Sequence, residues 1–277
     1  MGLDPVTPAP SRAGRNLPAA IAVGVALGAV ILGSLYWHKF LFIFVVLAAA
    51  LVAVDEVRRA FQAGGATVAR EPLFAGTTAM LVAAYFGGPR ALLMALALTV
   101  LATIFWRMPR GSHGFVRDIT AGVFLIAYVP MLAWFAILLV RPASDGPERV
   151  VTFFLVTVAS DVGGYVVGVL LGKHPMAPTI SPKKSWEGFA GSTLACVGAG
   201  IASVVFLLDG DWWVGAIVGA AAVLMATVGD LAESMIKRDL GIKDMSNLLP
   251  GHGGIMDRLD SLLAVAPVVW LILYLLV

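Results

Sequence analysis

The chain alternates between long apolar blocks and short clusters of charge, glycine and proline. Nine blocks stand out, at residues 17–37, 40–57, 73–88, 90–106, 118–140, 151–172, 188–208, 212–232 and 260–277. A helix that crosses a bilayer needs about 20 mostly apolar residues. The pattern therefore predicts an all-α, polytopic integral membrane protein of about nine transmembrane helices. The third and fourth blocks are short and are joined by Gly87-Gly88-Pro89-Arg90, which predicts a tight hairpin. Residues 1–16 are Pro-rich and lack periodicity, and read as a mobile tail. Arg12 and Arg15 ahead of an apolar run look like the start of a signal peptide. The run 17–37 has full spanning length, however, and no A-x-A site follows it, so it is expected to be retained as the first helix.

Composition supports the membrane reading. Hydrophobic residues make up 60% of the 277 positions and charged residues 13%, with a mean hydropathy of +0.92. A soluble domain carries about 25% charged residues, so this chain has too few to cover a surface in water. The net charge of +2 matters less than where the charges lie. Nine spans place 15 of the 19 Lys and Arg on the side of the N-terminus and leave Lys39, Arg90, Arg141 and Arg149 opposite. Cytoplasmic loops carry the excess of positive charge. The N-terminus is thus predicted to be cytoplasmic and the C-terminus outside, with Trp212 and Trp213 at the outer interface. The tail 1–16 precedes N-terminal helices over 17–140. A region over 141–277 then carries the two most polar cytoplasmic loops, 173–187 and 233–260. The single cysteine, Cys196, excludes an internal disulfide and a Cys-based metal cluster, and reads as a small packing residue.

Three constellations bear on chemistry. In the first, Asp230, Glu233, Ser234 and Lys237 are spaced to share one helical face at the end of the eighth block. Asp257 and Asp260 are three apart where the ninth begins. Two carboxylates on neighbouring helix ends suit a hard cation, since Mg²⁺ takes one or two carboxylates and completes its shell with phosphates and water. Between them lies Pro250-Gly251-His252-Gly253-Gly254, whose glycines let backbone approach a ligand. Lys237, Arg238, Lys243 and Arg258 add positive charge around the same loop. Other roles stand beside these: Asp260 can cap a helix, and basic loop residues can set topology or meet lipid headgroups.

In the second, Asp161 falls near the middle of the sixth block, where an ionisable group is costly and usually faces a polar cavity. Gly163, Gly164 and Gly168 let a helix or a ligand come close. In the third, "SPKKSWEG" offers Ser181, Lys183, Lys184 and Ser185 to phosphates, although a basic interfacial loop explains these residues equally well. Trp186 suits a stacked base or the membrane interface, and Glu187 the start of the next helix. Walker A, Gly-x-Gly-x-x-Gly and Gly-x-Ser-x-Gly patterns are absent, and so is Cys/His metal spacing.

From Ser234 to Asp260 the chain reads S-x-I-K-R, four residues, then K-D-x-S-x-x-L-P-x-H-G-G-I-x-D-R-L-D. This resembles the signature of the phosphatidate cytidylyltransferases, also called CDP-diacylglycerol synthases. "SDVGGYVVGVLLGK" and "SPKKSWEG" resemble segments of the same family in the expected order, with Ser185 where Thr is frequent. The motifs cover roughly the C-terminal half. The resemblance implies condensation of CTP with phosphatidic acid to CDP-diacylglycerol and pyrophosphate, at the cytoplasmic leaflet of the cell membrane. It implies a Mg²⁺ requirement, with Asp230 and Asp257 as metal carboxylates, room for a monovalent cation such as K⁺, and a homodimer. Lys237, Arg238, Lys243 and Arg258 are the expected catalytic charges. Ser181, Lys183, Lys184, Asp161, His252, Gly253 and Gly254 are the expected substrate contacts. Nucleic acid is not an expected partner. A CTP-dependent polyprenol or phytol kinase is the neighbouring alternative within lipid enzymology. A transporter using Asp161 is the alternative from another class, and it leaves the dense polar cluster unexplained.

Overall fold

Helices form wherever the apolar blocks run, because a backbone in hydrocarbon must satisfy its polar groups within its own segment. The computed structural model describes residues 17–141, 144–246, 248 and 253–277. The expected tail 1–16 lies outside the described residues. The helices are α1 (Leu17–Trp37), α2 (Lys39–Ala63), α3 (Arg70–Arg107), α4 (Phe115–Tyr128) and α5 (Pro130–Val140). They continue with α6 (Gly146–Leu171), α7 (Trp186–Leu207), α8 (Trp212–Asp239) and α9 (Met256–Leu276). Among the described residues, seven helical runs are long and apolar enough to cross a membrane, with α4 and α5 together as one and α3 counted once. Within α1, Gly24–Trp37 forms a shorter apolar helical stretch. The chain is an integral membrane protein. The difference from nine lies in α1 and in α3, which holds two of the predicted blocks.

The 38 residues of α3 would extend about 57 Å if straight, nearly twice the ~30 Å hydrocarbon core. They are not straight. Gly88 takes φ 65° and ψ −158° ahead of Pro89, and Gly76 packs directly on Thr99. The two arms therefore fold back on each other, as the Gly-Gly-Pro-Arg sequence predicts. The block 118–140 is broken where the sequence suggests continuity. Pro130 has no N–H to donate and disfavours helical geometry at Val129, whose φ/ψ is −102°/−70°.

The loop 173–187 is not all loop. Strands β1 (Pro175–Ala177) and β2 (Ser181–Ser185) pair antiparallel. Three- and five-residue strands are too short for an alternation of apolar and polar positions to announce them. The polar ends of the last helices also differ from the expected boundaries. Helix α8 continues to Asp239 and α9 begins at Met256, because charged residues extend a helix past its apolar block where they suit the dipole. Lys237 and Arg238 occupy the last turn of α8, and Asp257 the first turn of α9.

Small residues set the packing of the C-terminal helices. A Cβ on Gly163 would meet Ala195 and the Gly191 carbonyl, and one on Gly219 would strike the backbone at Cys196 and Val197. The glycines of α6 thus admit a neighbouring helix, α7. Ser192 Oγ donates to the Ser160 carbonyl at 2.6 Å across that contact. Cys196 is buried in the same layer, as expected of a packing residue. Helices α8 and α9 approach at Gly229, where a Cβ would meet the Asp260 carbonyl. In α2–α5 the core is built from larger side chains, including Leu73, Met80, Leu81, Leu125 and Ile137.

Close backbone contact makes a testable demand. Gly219→Leu should destabilise the protein by about 1–3 kcal/mol through overpacking, read as a lowered thermal midpoint in detergent. Gly198→Leu, on the same helix pair but facing open space, should leave the midpoint near that of the parent. Equal effects would contradict the packing described.

Candidate active site

The close α6–α7 contact and the strand pair leave a cavity of about 300 Å³ between them and α8. Asp161 and Tyr165 line it from α6, Ser181, Lys183 and Lys184 from β2, and Thr227 and Asp230 from α8. Asp161 stands 10 residues before the end of α6, about 15 Å along the helix, and it faces the polar cavity expected for a carboxylate at that depth. Lys184 Nζ is 2.5 Å from Asp230 Oδ2, and Ser234 Oγ donates to Asp230 Oδ1 at 3.4 Å. Ser185 caps α7 by accepting from the Gly188 N–H at 3.1 Å. Its neighbour Glu187 closes the base of the hairpin, accepting from the Lys173 and His174 N–H groups at 3.1 and 3.2 Å. His174 Nδ1 sits 2.5 Å from the same carboxylate. Trp186 is exposed at the head of α7.

A second cluster joins the ends of α8 and α9. Lys237 Nζ lies 2.5 Å from Glu233 Oε2 and 2.8 Å from Asp257 Oδ1. Glu233 is fully buried. Asp257 also accepts from the Met245 N–H at 3.0 Å and the Gly254 N–H at 2.6 Å. The glycine pair serves these carboxylates. Gly253 takes φ 82°, where a side chain would press on Asp257, and a Cβ on Gly254 would strike Glu56.

Glu56 was not a sequence candidate. It comes from α2, is 7% exposed, and accepts from Ser246 Oγ at 2.6 Å and from the Ile255 and Met256 N–H groups at 3.1 and 2.8 Å. Those N–H groups are donors that the first turn of a helix cannot satisfy itself. Glu56 therefore caps α9 across a gap of about 200 positions in sequence, a partnership that local spacing cannot reveal. Its carboxylate also suits the positive end of the α9 dipole.

The structure thus brings together Asp161, Ser181, Lys183, Lys184 and Asp230 on one cavity, and Lys237, Asp257 and Gly254 in one network. Arg258 is exposed in the first turn of α9, and Arg238 and Lys243 are exposed at and beyond the end of α8, off the cavity wall. His252 lies outside the described residues. Among the described residues, no group of three or more His, Cys, Asp or Glu side chains is gathered tightly enough to hold a metal alone. Mg²⁺ needs less than that when phosphates supply the other oxygens. Asp230 offers carboxylate oxygen to the cavity, and the buried Glu233 Oε1 has no hydrogen-bond partner. Asp257 directs its oxygens at Lys237, Met245 and Gly254. A hard cation held by these carboxylates would draw most of its shell from a substrate.

A helical membrane protein with an acid–base cavity and a glycine-rich loop at one end of its helices has the parts of a phosphoryl- or nucleotidyl-transferring enzyme. Residues 18–276 match the model of the cytidylyltransferase family, and the chain belongs to that family, as a nucleotidyltransferase. It is similar to the phosphatidate cytidylyltransferase of Mycobacterium leprae (strain TN), with 44% identity over 96% of this chain and 90% of that protein. The protein of that name from Mycobacterium bovis is 43% identical over 96% of this chain and 91% of its own length. That of Pseudomonas aeruginosa is 37% identical over 70% of this chain and 74% of its own.

The Glu56 cap can be tested alone. Glu56→Ala leaves three donors without their acceptor, so the Ile255 and Met256 amides should exchange with deuterium faster than in the parent. Stability should fall by about 1–3 kcal/mol. Glu56→Gln, which keeps one acceptor oxygen, should recover part of both. Unchanged exchange at the head of α9 in Glu56→Ala would contradict the assignment.

Proposed function

We propose that the chain condenses CTP with phosphatidic acid, giving CDP-diacylglycerol and pyrophosphate. The observation that carries this reading is the Lys184–Asp230 pair on a polar cavity set into otherwise apolar helices. Such a cavity can take a charged nucleotide while a lipid keeps its chains in the bilayer. The relatives, named phosphatidate cytidylyltransferase over most of the chain, support the same reaction.

The phosphate of phosphatidic acid is a nucleophile near neutral pH and needs no strong general base. One of its oxygens forms a bond to the α-phosphorus of CTP, the bond from that phosphorus to the β-phosphate breaks, and pyrophosphate leaves with the electron pair. The chain's task is to align two anions and offset their repulsion. Lys183 and Lys184 line the nucleotide-sized cavity, and Ser181 adds a hydroxyl donor. In this reading Arg258, Arg238 and Lys243, exposed at the ends of α8 and α9 and off the cavity wall, add positive charge toward the phosphates. Lys237 is held by Glu233 and Asp257, so its ammonium is fixed in direction before substrate arrives. Asp161 is a polar contact on the cavity wall, toward ribose or a cation. His252 and the Gly253–Gly254 backbone complete the proposed substrate contacts.

Asp230 and Asp257 would hold Mg²⁺, with Lys237 giving up part of its bond to Asp257 and with K⁺ as a companion ion. When bound, the metal neutralises charge on the phosphates and the leaving pyrophosphate. In this reading nine spans place the N-terminus and the site in the cytoplasm, where CTP is, with 17–140 as supporting helices and 141–277 as the catalytic region. The membrane is the plasma membrane and the assembly is a homodimer.

The test uses purified protein, labelled CTP and phosphatidic acid. Asp257→Asn should lose about 100-fold or more in turnover while remaining monodisperse in detergent. EDTA should abolish turnover of the parent and Mg²⁺ should restore it. Full activity of Asp257→Asn would overturn its part in the metal site, and activity that survives EDTA would overturn the metal requirement.

A further inference from the structure

A second cavity, of about 160 Å³, lies between α1, α2 and α9. Leu27 and Ile31 line it from α1, Val45 and Ala49 from α2, and Leu259 and Leu262 from α9. Its floor is formed by apolar side chains of α5 and α6. The one charged residue on its wall is Arg258, at the end that meets the signature loop. From Arg258 to Ala266, the deepest α9 residue on the wall, the helix descends about 12 Å. That is close to half of the ~30 Å hydrocarbon core, the depth of one lipid leaflet.

Three features separate this cleft from an ordinary lipid-facing flank. It is bounded by three helices and a floor. Its mouth carries a guanidinium, the side chain best matched to a phosphate. Arg258 also directly follows Asp257 in the chain, within the first turn of α9. A contrasting groove between α2 and α3, lined by Leu51, Phe74 and Val82 among others, has no charged residue on its wall.

We propose that the cleft between α1, α2 and α9 is the acyl-chain subsite of the lipid substrate, with Arg258 at its mouth taking the lipid phosphate. The proposal rests on the reaction given under Proposed function and adds where the lipid sits. One acyl chain descends along Leu259 and Leu262, and the phosphate is left beside Asp257. The α1 helix closes the cleft on its third side, which gives the N-terminal helices a share in substrate choice. Ala49 is the residue whose size sets the width, because it is partly exposed on the wall and its methyl group fills little of the space.

Two measurements test this. Ala49→Phe and the milder Ala49→Leu narrow the cleft. Each should raise KM for dioleoyl phosphatidate, the former by about tenfold, and leave KM for CTP and turnover of dihexanoyl phosphatidate unchanged. No change with dioleoyl phosphatidate, or an equal change with both lipids, would overturn the subsite. Independently of any variant, a phosphatidate with a mid-chain diazirine should label the unmodified protein in peptides holding residues 27–31, 45–49 or 259–266. Labelling concentrated on α3 or α7 would overturn it as well. Failure of the unmodified protein to form CDP-lipid from either phosphatidate would instead overturn the reaction on which the subsite rests.

Discussion

Charge at the end of an apolar helix bundle must be paired, and the pairing of Lys237 with Glu233 and Asp257 organises the rest. Lys237 belongs to α8 and Asp257 to α9, so the ion pair fixes the register of two helix ends. Asp257 then gathers the Met245 and Gly254 N–H groups and shapes the loop between those helices. Glu56 holds the same loop from α2. A loop rich in glycine would otherwise be free to take many conformations. Here two carboxylates, Asp257 and Glu56, hold its described ends, and Gly253 and Gly254 are required because those carboxylates occupy the space a side chain would need.

The second constraint is backbone proximity. Small residues on α6, α7 and α8 let the helices approach closely, and the same glycines open space for the polar cavity where β2 folds over them. Lys184 reaches Asp230 only because the strand pair, closed at its base by Glu187 and His174, carries it there. The outcome is a site with two surroundings. One side is polar, with Lys183 and Lys184 set against Asp161 and Asp230. The other is the cleft between α1, α2 and α9, walled by apolar side chains and proposed above for the lipid. An enzyme that joins a water-soluble and a membrane-bound reactant needs both without moving either reactant far from its own solvent.

The parts of this arrangement that follow from local spacing were legible in the sequence. Asp230, Glu233, Ser234 and Lys237 share a face, and the structure shows the i, i+4 contacts that such spacing implies. Gly87-Gly88-Pro89-Arg90 announced the reversal in α3, since glycine at positive φ ahead of proline cannot continue a helix. Asp161 announced a polar cavity through the cost of a carboxylate at its depth. What depended on distant partners was hidden. Glu56 looks like one acid among the charged residues that end α2, and its role exists only where α9 meets it. The Glu187–His174 clasp depends on a strand pair too short to leave a pattern. Val129 and Pro130 sit in an apolar run whose hydropathy gives no sign of the break, although proline itself is a sufficient cause.

The central claim is that the site moves a cytidylyl group rather than a single phosphoryl group. Parallel reactions of the unmodified protein in phosphatidate-containing vesicles, with CTP labelled at the α- or the γ-phosphate, test it most directly. Lipid should acquire the α label, and the γ label should appear wholly in pyrophosphate. Transfer of the γ label to lipid, with release of CDP, would contradict the account and identify a kinase.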